Sequence, residues 1–150
     1  MQPTEIHEIA ARFRLAIEAR QRTLRLSWLR DNFPTGCCRE ASDMLGTLLR
    51  ERYGIEAAVV LGEIDDHSHA WLEIDGLIVD ITADQFADRF PNAKPVIVTR
   101  DRAMHSQFGG NKRVAPVLLG ADDDENEFAA DAQHDYSTIV EAFYEVGQLR

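Results

Sequence analysis

The sequence of 150 residues predicts a single α+β domain, residues 1–150, with helices first and a mostly antiparallel sheet after them. Apolar residues recur at helical spacing up to Gly54, and beyond it the pattern changes to the short alternating runs that are typical of strands. Helices followed by strands favour an α+β architecture over alternating βαβ units. A chain of this length is expected to form one core without help from a disulfide or a metal.

The helices are predicted from apolar spacing and from signals at their ends. Thr4 is expected to cap the first helix. The apolar face of that helix consists of Ile6, Ile9, Ala10, Phe13 and Ile17. A second helical stretch, over residues 24–29, stops before residues 33–36, where a proline and a glycine predict a turn. A third helix is expected to begin near Cys37 or Cys38 and to end at Gly54.

The second half of the chain is predicted to hold the strands. Alternation favours strands at residues 69–74 and 77–82, joined by a hairpin turn at Asp75-Gly76. The remaining predicted elements are strands at 57–61, 95–99 and 114–119, a short helix at 83–89, a polar loop at 104–113, a solvated acidic run at 122–127 and a closing amphipathic helix at 139–146. Residues 109–112 of the polar loop are expected to be flexible and to form a lid near the cleft.

The predicted hairpin sorts its side chains onto two faces. With the turn at Asp75-Gly76, Leu72 lies opposite Val79, and one face is wholly apolar and faces the core. The other face carries His69, Trp71, Glu73, Ile78, Asp80 and Thr82. Asp80 then lies diagonal to His69 on the neighbouring strand, within reach of an aromatic side chain. A carboxylate there can hold one imidazole nitrogen and leave the other for a third group.

That third group is expected to be a thiol at the start of the third helix. Exposed N–H groups and the helix dipole stabilise a thiolate at a helix N-terminus, and a nearby imidazolium lowers its pKa further. Cys37 and Cys38 each lie roughly 50° from the apolar stripe, so helical phase leaves both open as nucleophile. A thiol, His69 and Asp80 together provide a nucleophile, a base and an orienting acid.

Charge and composition exclude several classes of partner. The formal net charge is −10 with an isoelectric point near 4.9, which disfavours nucleic acid and anionic membrane surfaces. No apolar run approaches the roughly 20 residues of a membrane span. The first residues lack the apolar segment of a secretory signal, so we expect a cytoplasmic protein. No feature of the sequence indicates an oligomeric state.

Three blocks of sequence resemble a known family. Gly36-Cys37-Cys38, with a small residue and a leucine farther along and then Gly54-Ile55-Glu56-Ala57, resembles the first motif of the transglutaminase-like superfamily of papain-like fold proteins. His69-Ala70-Trp71-Leu72-Glu73 is similar to its His-Ala-Trp-x-Glu motif, and Val79-Asp80-Ile81-Thr82 to its Asp-containing strand, with Ile81 where the family usually has proline. The resemblance covers about residues 34–86 and extends to the leader-peptide proteases of lasso-peptide biosynthesis.

The resemblance implies a papain-like fold, with the nucleophile helix packed on the sheet, and an activity. Its Gly-x-Cys spacing selects Cys38 as the nucleophile, with His69 and Asp80 completing a catalytic triad. The implied activity is thiol-dependent acyl chemistry on a peptide or protein substrate, as a protease, amidase, deamidase or transamidase. No cofactor and no calcium are implied. The oxyanion hole is expected at the Cys38 backbone N–H with Asn32 as side-chain donor, and Trp71 is expected to pack over the helix or to line the groove.

Two other functions remain open from the sequence. A chain with this fold could be a binding module without activity. Alternatively, Cys37, Cys38, His67 and His69 are zinc-ligand types, although the usual C-x₂-C spacing is missing. The two remaining histidines in the second half of the chain, His105 and His134, are expected at the surface.

Overall fold

The computed structural model describes residues 1–118 and 128–148. Within them lie four helices and five strands, which confirm the α+β class. The elements are α1 (Pro3–Arg20), α2 (Ser27–Asn32), α3 (Cys38–Tyr53), β1 (Ala58–Ile64), β2 (His67–Ile74), β3 (Leu77–Asp80), β4 (Ile97–Thr99), β5 (Gly109–Val114) and α4 (Ala129–Gln148). Short 3₁₀ turns occupy Gln21–Thr23, Ala83–Phe86 and His105–Gln107. The acidic run at 122–127 and the end of the strand predicted at 114–119 lie outside the described residues.

The helix ends follow local sequence signals, with one correction. α3 begins at Cys38 and is ended by Gly54 in a left-handed conformation with φ 64°, as predicted. α1 begins at Pro3, so Gln2 rather than Thr4 takes the N-cap position. Proline suits the first helical turn because its missing N–H would have no partner there. The predicted closing helix is present as α4, which begins ten residues earlier than expected, at Ala129.

The sheet is antiparallel throughout, in the order β4-β3-β2-β1-β5. The register of β2 on β3 pairs Leu72 with Val79 and Ile74 with Leu77, which confirms the predicted hairpin. β3 ends at Asp80 rather than at Thr82. The Thr82 N–H donates to Asp80 Oδ1 at 3.0 Å, so the chain turns at this point instead of continuing the ladder. The helix expected at 83–89 is reduced to the 3₁₀ turn Ala83–Phe86.

β5 corrects the predicted polar loop. Residues 109–114 form an edge strand on β1, with an irregularity in register between Leu61 and Glu63. All six of its residues are exposed, so β5 carries no buried face and no apolar alternation that could have revealed it. Residues 115–118, predicted as part of a strand, have no regular structure.

Both faces of the sheet are buried at its central strands β2 and β3. The apolar face packs with the helices into the main core, as expected. The opposite face is covered by the chain between β3 and β5 and forms a second cluster of Val60, Trp71, Ile78, Phe90 and Phe108. Trp71 therefore packs on the side of the sheet away from α3, which corrects the expectation that it packs over the helix. The second cluster encloses the polar side chains that the hairpin places on this face. Among the described residues, no helix combines the length and apolar character needed to cross a membrane.

Candidate active site

The structure brings His69 and Asp80 into direct contact beside Cys38. His69 Nε2 and Asp80 Oδ2 are 2.6 Å apart, and both side chains are fully buried. The diagonal placement predicted for the hairpin accounts for this contact. Cys38, the first residue of α3, lines the same cleft as His69 and contributes to the raised pKa of that imidazole. The carboxylate occupies Nε2 and leaves the other ring nitrogen, Nδ1, for a second partner.

The buried carboxylate determines the protonation of His69. Burial alone lowers the pKa of His69, but the Asp80 charge and hydrogen bond outweigh burial and, together with Cys38, raise this pKa to about 9. Burial likewise opposes ionisation of Asp80, yet His69 and then His105 hold the Asp80 pKa well below its usual range. At neutral pH the site therefore holds an imidazolium against a carboxylate.

Asp80 has a second imidazole partner that the sequence analysis missed. His105 Nε2 lies 2.7 Å from Asp80 Oδ2, the same oxygen that His69 contacts. The His105 residue is only 2% exposed, which corrects its expected surface position. No local signal points to this burial, because His105 lies in a short 3₁₀ turn within a polar stretch and is carried inward by contacts distant in sequence. The other histidine expected at the surface, His134, is half-buried on α4 beside Asp135.

The two adjacent cysteines occupy different environments. Cys37 is the N-cap residue of α3, is fully buried in the main core, and has its pKa raised to about 12, chiefly by burial. Cys38 is half-buried and lines a cleft together with His69. Helical phase left the choice open, and burial now favours Cys38 as the reactive thiol.

The cleft at Cys38 has a volume of about 320 Å³. Its lining comes from the start of α3, from β1 and β2, and from β5: Cys38, Arg39, Leu61, Gly62, Glu63, Ser68, His69, Ala70, Gly110 and Lys112. Residues 109–112, expected as a flexible lid, thus form part of the wall as a strand. A larger cavity of about 600 Å³ includes His105 but not Cys38, so the smaller cleft is the one that opens onto the thiol.

A side-chain amide approaches the site from the 3₁₀ turn after β3. Gln85 Nε2 lies 3.5 Å from His69 Nδ1 and donates to the Thr82 carbonyl at 3.0 Å, while Gln85 Oε1 accepts from the Gly36 N–H at 3.4 Å. The amide donor was expected upstream of Cys38, at Asn32. Asn32 is exposed at the end of α2, and no described side-chain hydrogen bond of the site includes it. A search for amides just after the Asp80 strand would have found Gln85.

Trp71 packs beside the His69 ring, within the second cluster. It is fully buried and does not line the cleft. Its ring lies 5.6 Å from the His69 ring, and its Nε1–H donates to Glu73 Oε2 at 3.0 Å. Glu73 is itself buried and pairs with Arg102 and Arg113. The Trp71 side chain thus packs beside the imidazole and limits its positions, and it is not part of the cleft wall.

The predicted zinc ligands are not assembled. Among the described residues, the group of ligand types that lies close together is His69, Asp80 and His105, within 4.8 Å, and it contains neither cysteine. His67 is exposed at the start of β2. The N–O separations of 2.6 and 2.7 Å are those of hydrogen bonds. Ligand atoms around a tetrahedral zinc, each roughly 2 Å from the metal, are about 3.3 Å apart, so the observed contacts do not have the geometry of a zinc site.

Comparison with protein-family models, with curated proteins and with solved structures finds no match to this chain. The geometry of the cleft, together with the chemistry of the groups that line it, carries the functional interpretation.

Proposed function

We propose that this protein performs thiol-dependent acyl chemistry on a peptide-like amide, with Cys38 as nucleophile, His69 as base and acid, and Asp80 as the orienting acid. The observation that carries the proposal is the buried 2.6 Å contact between His69 Nε2 and Asp80 Oδ2, next to a half-buried thiol that lines the same cleft as the His69 ring. The arrangement is the one expected of a papain-like, transglutaminase-like enzyme. Protease, amidase, deamidase and transamidase activities all share its first step.

In that step the Cys38 sulfur attacks the carbonyl carbon, while the Cys38 proton resides on His69 Nδ1. The tetrahedral intermediate collapses as His69 gives this proton to the leaving nitrogen, the C–N bond breaks, and a thioester remains on Cys38. Water or an amine then attacks the thioester, gives its proton to His69, and releases Cys38 with the acyl group on the acceptor. Asp80 holds the ring and stabilises the imidazolium throughout.

Two hydrogen-bond donors are suited to the oxyanion of the intermediate. The Cys38 N–H is at the first position of α3, where backbone N–H groups have no partner within the helix. Gln85 Nε2 lies on the side of His69 Nδ1, where the reacting carbonyl must enter. A pair of such donors is the usual means of stabilising an acyl-transfer intermediate. We assign this role to the Cys38 backbone and the Gln85 side chain.

The proposed substrate of this cleft is a peptide or protein segment. The paired strands β1 and β5 border Cys38, and the exposed Gly110 adds no side chain to the wall of the cleft. The charged residues of the wall, Arg39, Glu63 and Lys112, carry both signs, so the lining does not select a strongly charged substrate.

Thiol reactivity tests the proposal without knowledge of the substrate. We expect iodoacetamide at pH 6 to alkylate Cys38 faster than a free thiol, because the His69 imidazolium stabilises the thiolate. Site-resolved mass spectrometry measures the rates of both cysteines in one sample, and the buried Cys37 is the internal control. His69→Ala should reduce the Cys38 rate to that of an ordinary cysteine. A Cys38 rate that is ordinary and insensitive to His69→Ala would instead favour a binding module that keeps the fold without activity.

A further inference from the structure

We propose that His105 is a positioning residue of this site, which shares the Asp80 carboxylate with His69 and limits how strongly that carboxylate holds the proton on His69. The part that His105 plays in catalysis rests on the proposed function. The shared contact itself is independent of whether Cys38 reacts.

The three side chains form one buried array. His69 Nε2 and His105 Nε2 both contact Asp80 Oδ2, at 2.6 and 2.7 Å, and the two rings are stacked with an interplanar angle of 29°. The other carboxylate oxygen accepts the Thr82 N–H at 3.0 Å. Asp80 is therefore fixed from three sides, and its negative charge is divided between two imidazole donors.

His105 acts as a neutral donor. Its Nδ1 atom is buried and has no hydrogen-bond partner among the described residues. A protonated ring would leave a buried N–H without an acceptor at Nδ1, whereas a neutral ring protonated at Nε2 leaves only a lone pair there. The neutral Nε2–H form thus satisfies Asp80 and places the positive charge of the array on His69.

Contacts distant in sequence hold His105 in place. Arg102 donates to Glu73 at 2.6 Å and to the Gly76 carbonyl at 3.3 Å, which ties the chain before His105 to the β2–β3 hairpin. Phe108, just after the turn, is 1% exposed and packs its ring 5.9 Å from that of Trp71. The position of His105 is therefore built by the fold and does not depend on Asp80 alone.

Other ionisable groups near the array are few and come from several elements. Cys38 faces His69 from α3, with Arg39, Glu63 and Lys112 around the same cleft. On the opposite side, His7, Lys94 and Asp101 line the larger cavity that includes His105. Among the described residues, Asp80 is the ionisable group that forms a hydrogen bond with both the His69 and the His105 ring. His69 should therefore respond to changes at His105 mainly through this carboxylate.

The test compares two amides of different length at position 105. In His105→Gln the amide nitrogen reaches about as far as Nε2 and keeps the donor to Asp80, whereas in His105→Asn it falls short. Without the second donor, Asp80 interacts more strongly with His69. We expect His105→Asn to shift the titration of the His69 ring upward by about half to one pH unit, and His105→Gln to retain the wild-type value. NMR of the ring-labelled full-length protein measures the titration.

Controls separate this proposal from the proposed function. Ser106→Ala, in the same 3₁₀ turn and exposed, should leave the His69 titration unchanged. An unchanged or lower His69 pKa in His105→Asn would overturn the positioning role, whatever the reactivity of Cys38. If His105→Asn does not fold, the ring ¹⁵N chemical shifts of the wild-type protein show which protonation form His105 takes. A neutral Nε2–H form of His105 at pH 7 supports the proposal, and a protonated or Nδ1–H form overturns it.

Discussion

At the scale of single residues, Cys37 and Cys38 show how one step along the chain changes the chemistry of a side chain. Cys37 is the N-cap residue of α3 and is buried in the main core. Cys38 is the first residue of α3 and lines the cleft. Helical phase placed both at similar angles, so the sequence could not choose without the family spacing. What separates them is burial, which depends on elements packed around the turn. Burial raises the pKa of Cys37 and leaves that thiol protonated and unreactive at neutral pH.

The charge on His69 should depend on Asp80. In Asp80→Asn the carboxylate is lost while burial remains, so we expect the His69 pKa to fall from about 9 to its ordinary value near 6.5 or below. NMR titration of the ring measures the change. Alkylation of Cys38 at pH 6 should slow in the same variant. An Asp80→Asn protein whose His69 still titrates near pH 9 would show that another group holds the proton.

The same pair should also make stability depend on pH. The folded-state pKa of His69 is raised above its unfolded value, so its contribution to the free energy of unfolding is complete below about pH 6.5 and is lost as pH rises through about 9. The loss is of the order of 3 kcal/mol, from the size of the shift. Urea midpoints between pH 6 and 10 test it. His69→Gln should flatten this part of the profile, and an equally steep decline in that variant would contradict the assignment.

At the scale of elements, the sequence predicted what local signals determine. Gly54 ended α3 and Asp75-Gly76 set the hairpin, because a left-handed residue and a tight turn need those residue types. β5 was missed because an exposed edge strand is defined by its ladder to β1, and that partner is distant in sequence. The covering of the second sheet face was missed for the same reason. His69 and Asp80 could be predicted, since their contact follows from one hairpin.

The close approach of α3 and the segment after β5 gives a prediction at this scale. A Cβ atom at Gly46 would lie 2.5 Å from Pro116 Cγ, so the proline ring can pack this closely on α3 only where the helix residue is glycine. We expect Gly46→Ala to destabilise the fold by about 1–3 kcal/mol through overpacking. Urea unfolding measures this, and the double variant Gly46→Ala/Pro116→Ala should recover part of the loss because the ring is removed. Additive effects of the two substitutions would indicate that they do not meet.

At the scale of the whole molecule, buried ionisable side chains join elements that are distant in sequence. The local sequence pattern does not predict these contacts. Asp135 on α4 accepts the backbone N–H groups of Arg25 and Leu26, both at 2.8 Å, and so fixes the chain at the start of α2. His105 reaches Asp80 in the same manner, across 25 residues. Composition gives no hint of such contacts, because these residue types are usually exposed. The contact between His69 and Asp80 was therefore predictable from sequence, while its surroundings were not.

Arg14 joins α1 to the 3₁₀ turn Ala83–Phe86 beside the site. It is 8% exposed, and its guanidinium donates to the carbonyls of Ile81 and Pro95 and to both oxygens of Asp84. Asp84 precedes Gln85 in the 3₁₀ turn that approaches His69. The packing of α1 thus positions the turn that carries the proposed oxyanion donor.

Replacing Arg14 should weaken both the fold and this turn. Arg14→Met leaves two carbonyls and the partly exposed Asp84 without their donor, so we expect a loss of about 2–4 kcal/mol in the free energy of unfolding. The Gln85 backbone N–H, bonded to the Thr82 carbonyl at 3.2 Å, should exchange with solvent faster as the turn loosens. Arg22→Met, at an exposed position, is the matched control and should change stability by less than about 0.5 kcal/mol. Equal unfolding midpoints for the two variants, with unchanged exchange at Gln85, would show that α1 does not support the turn, and the placement of Gln85 would then have to come from Gly36 and Thr82 alone.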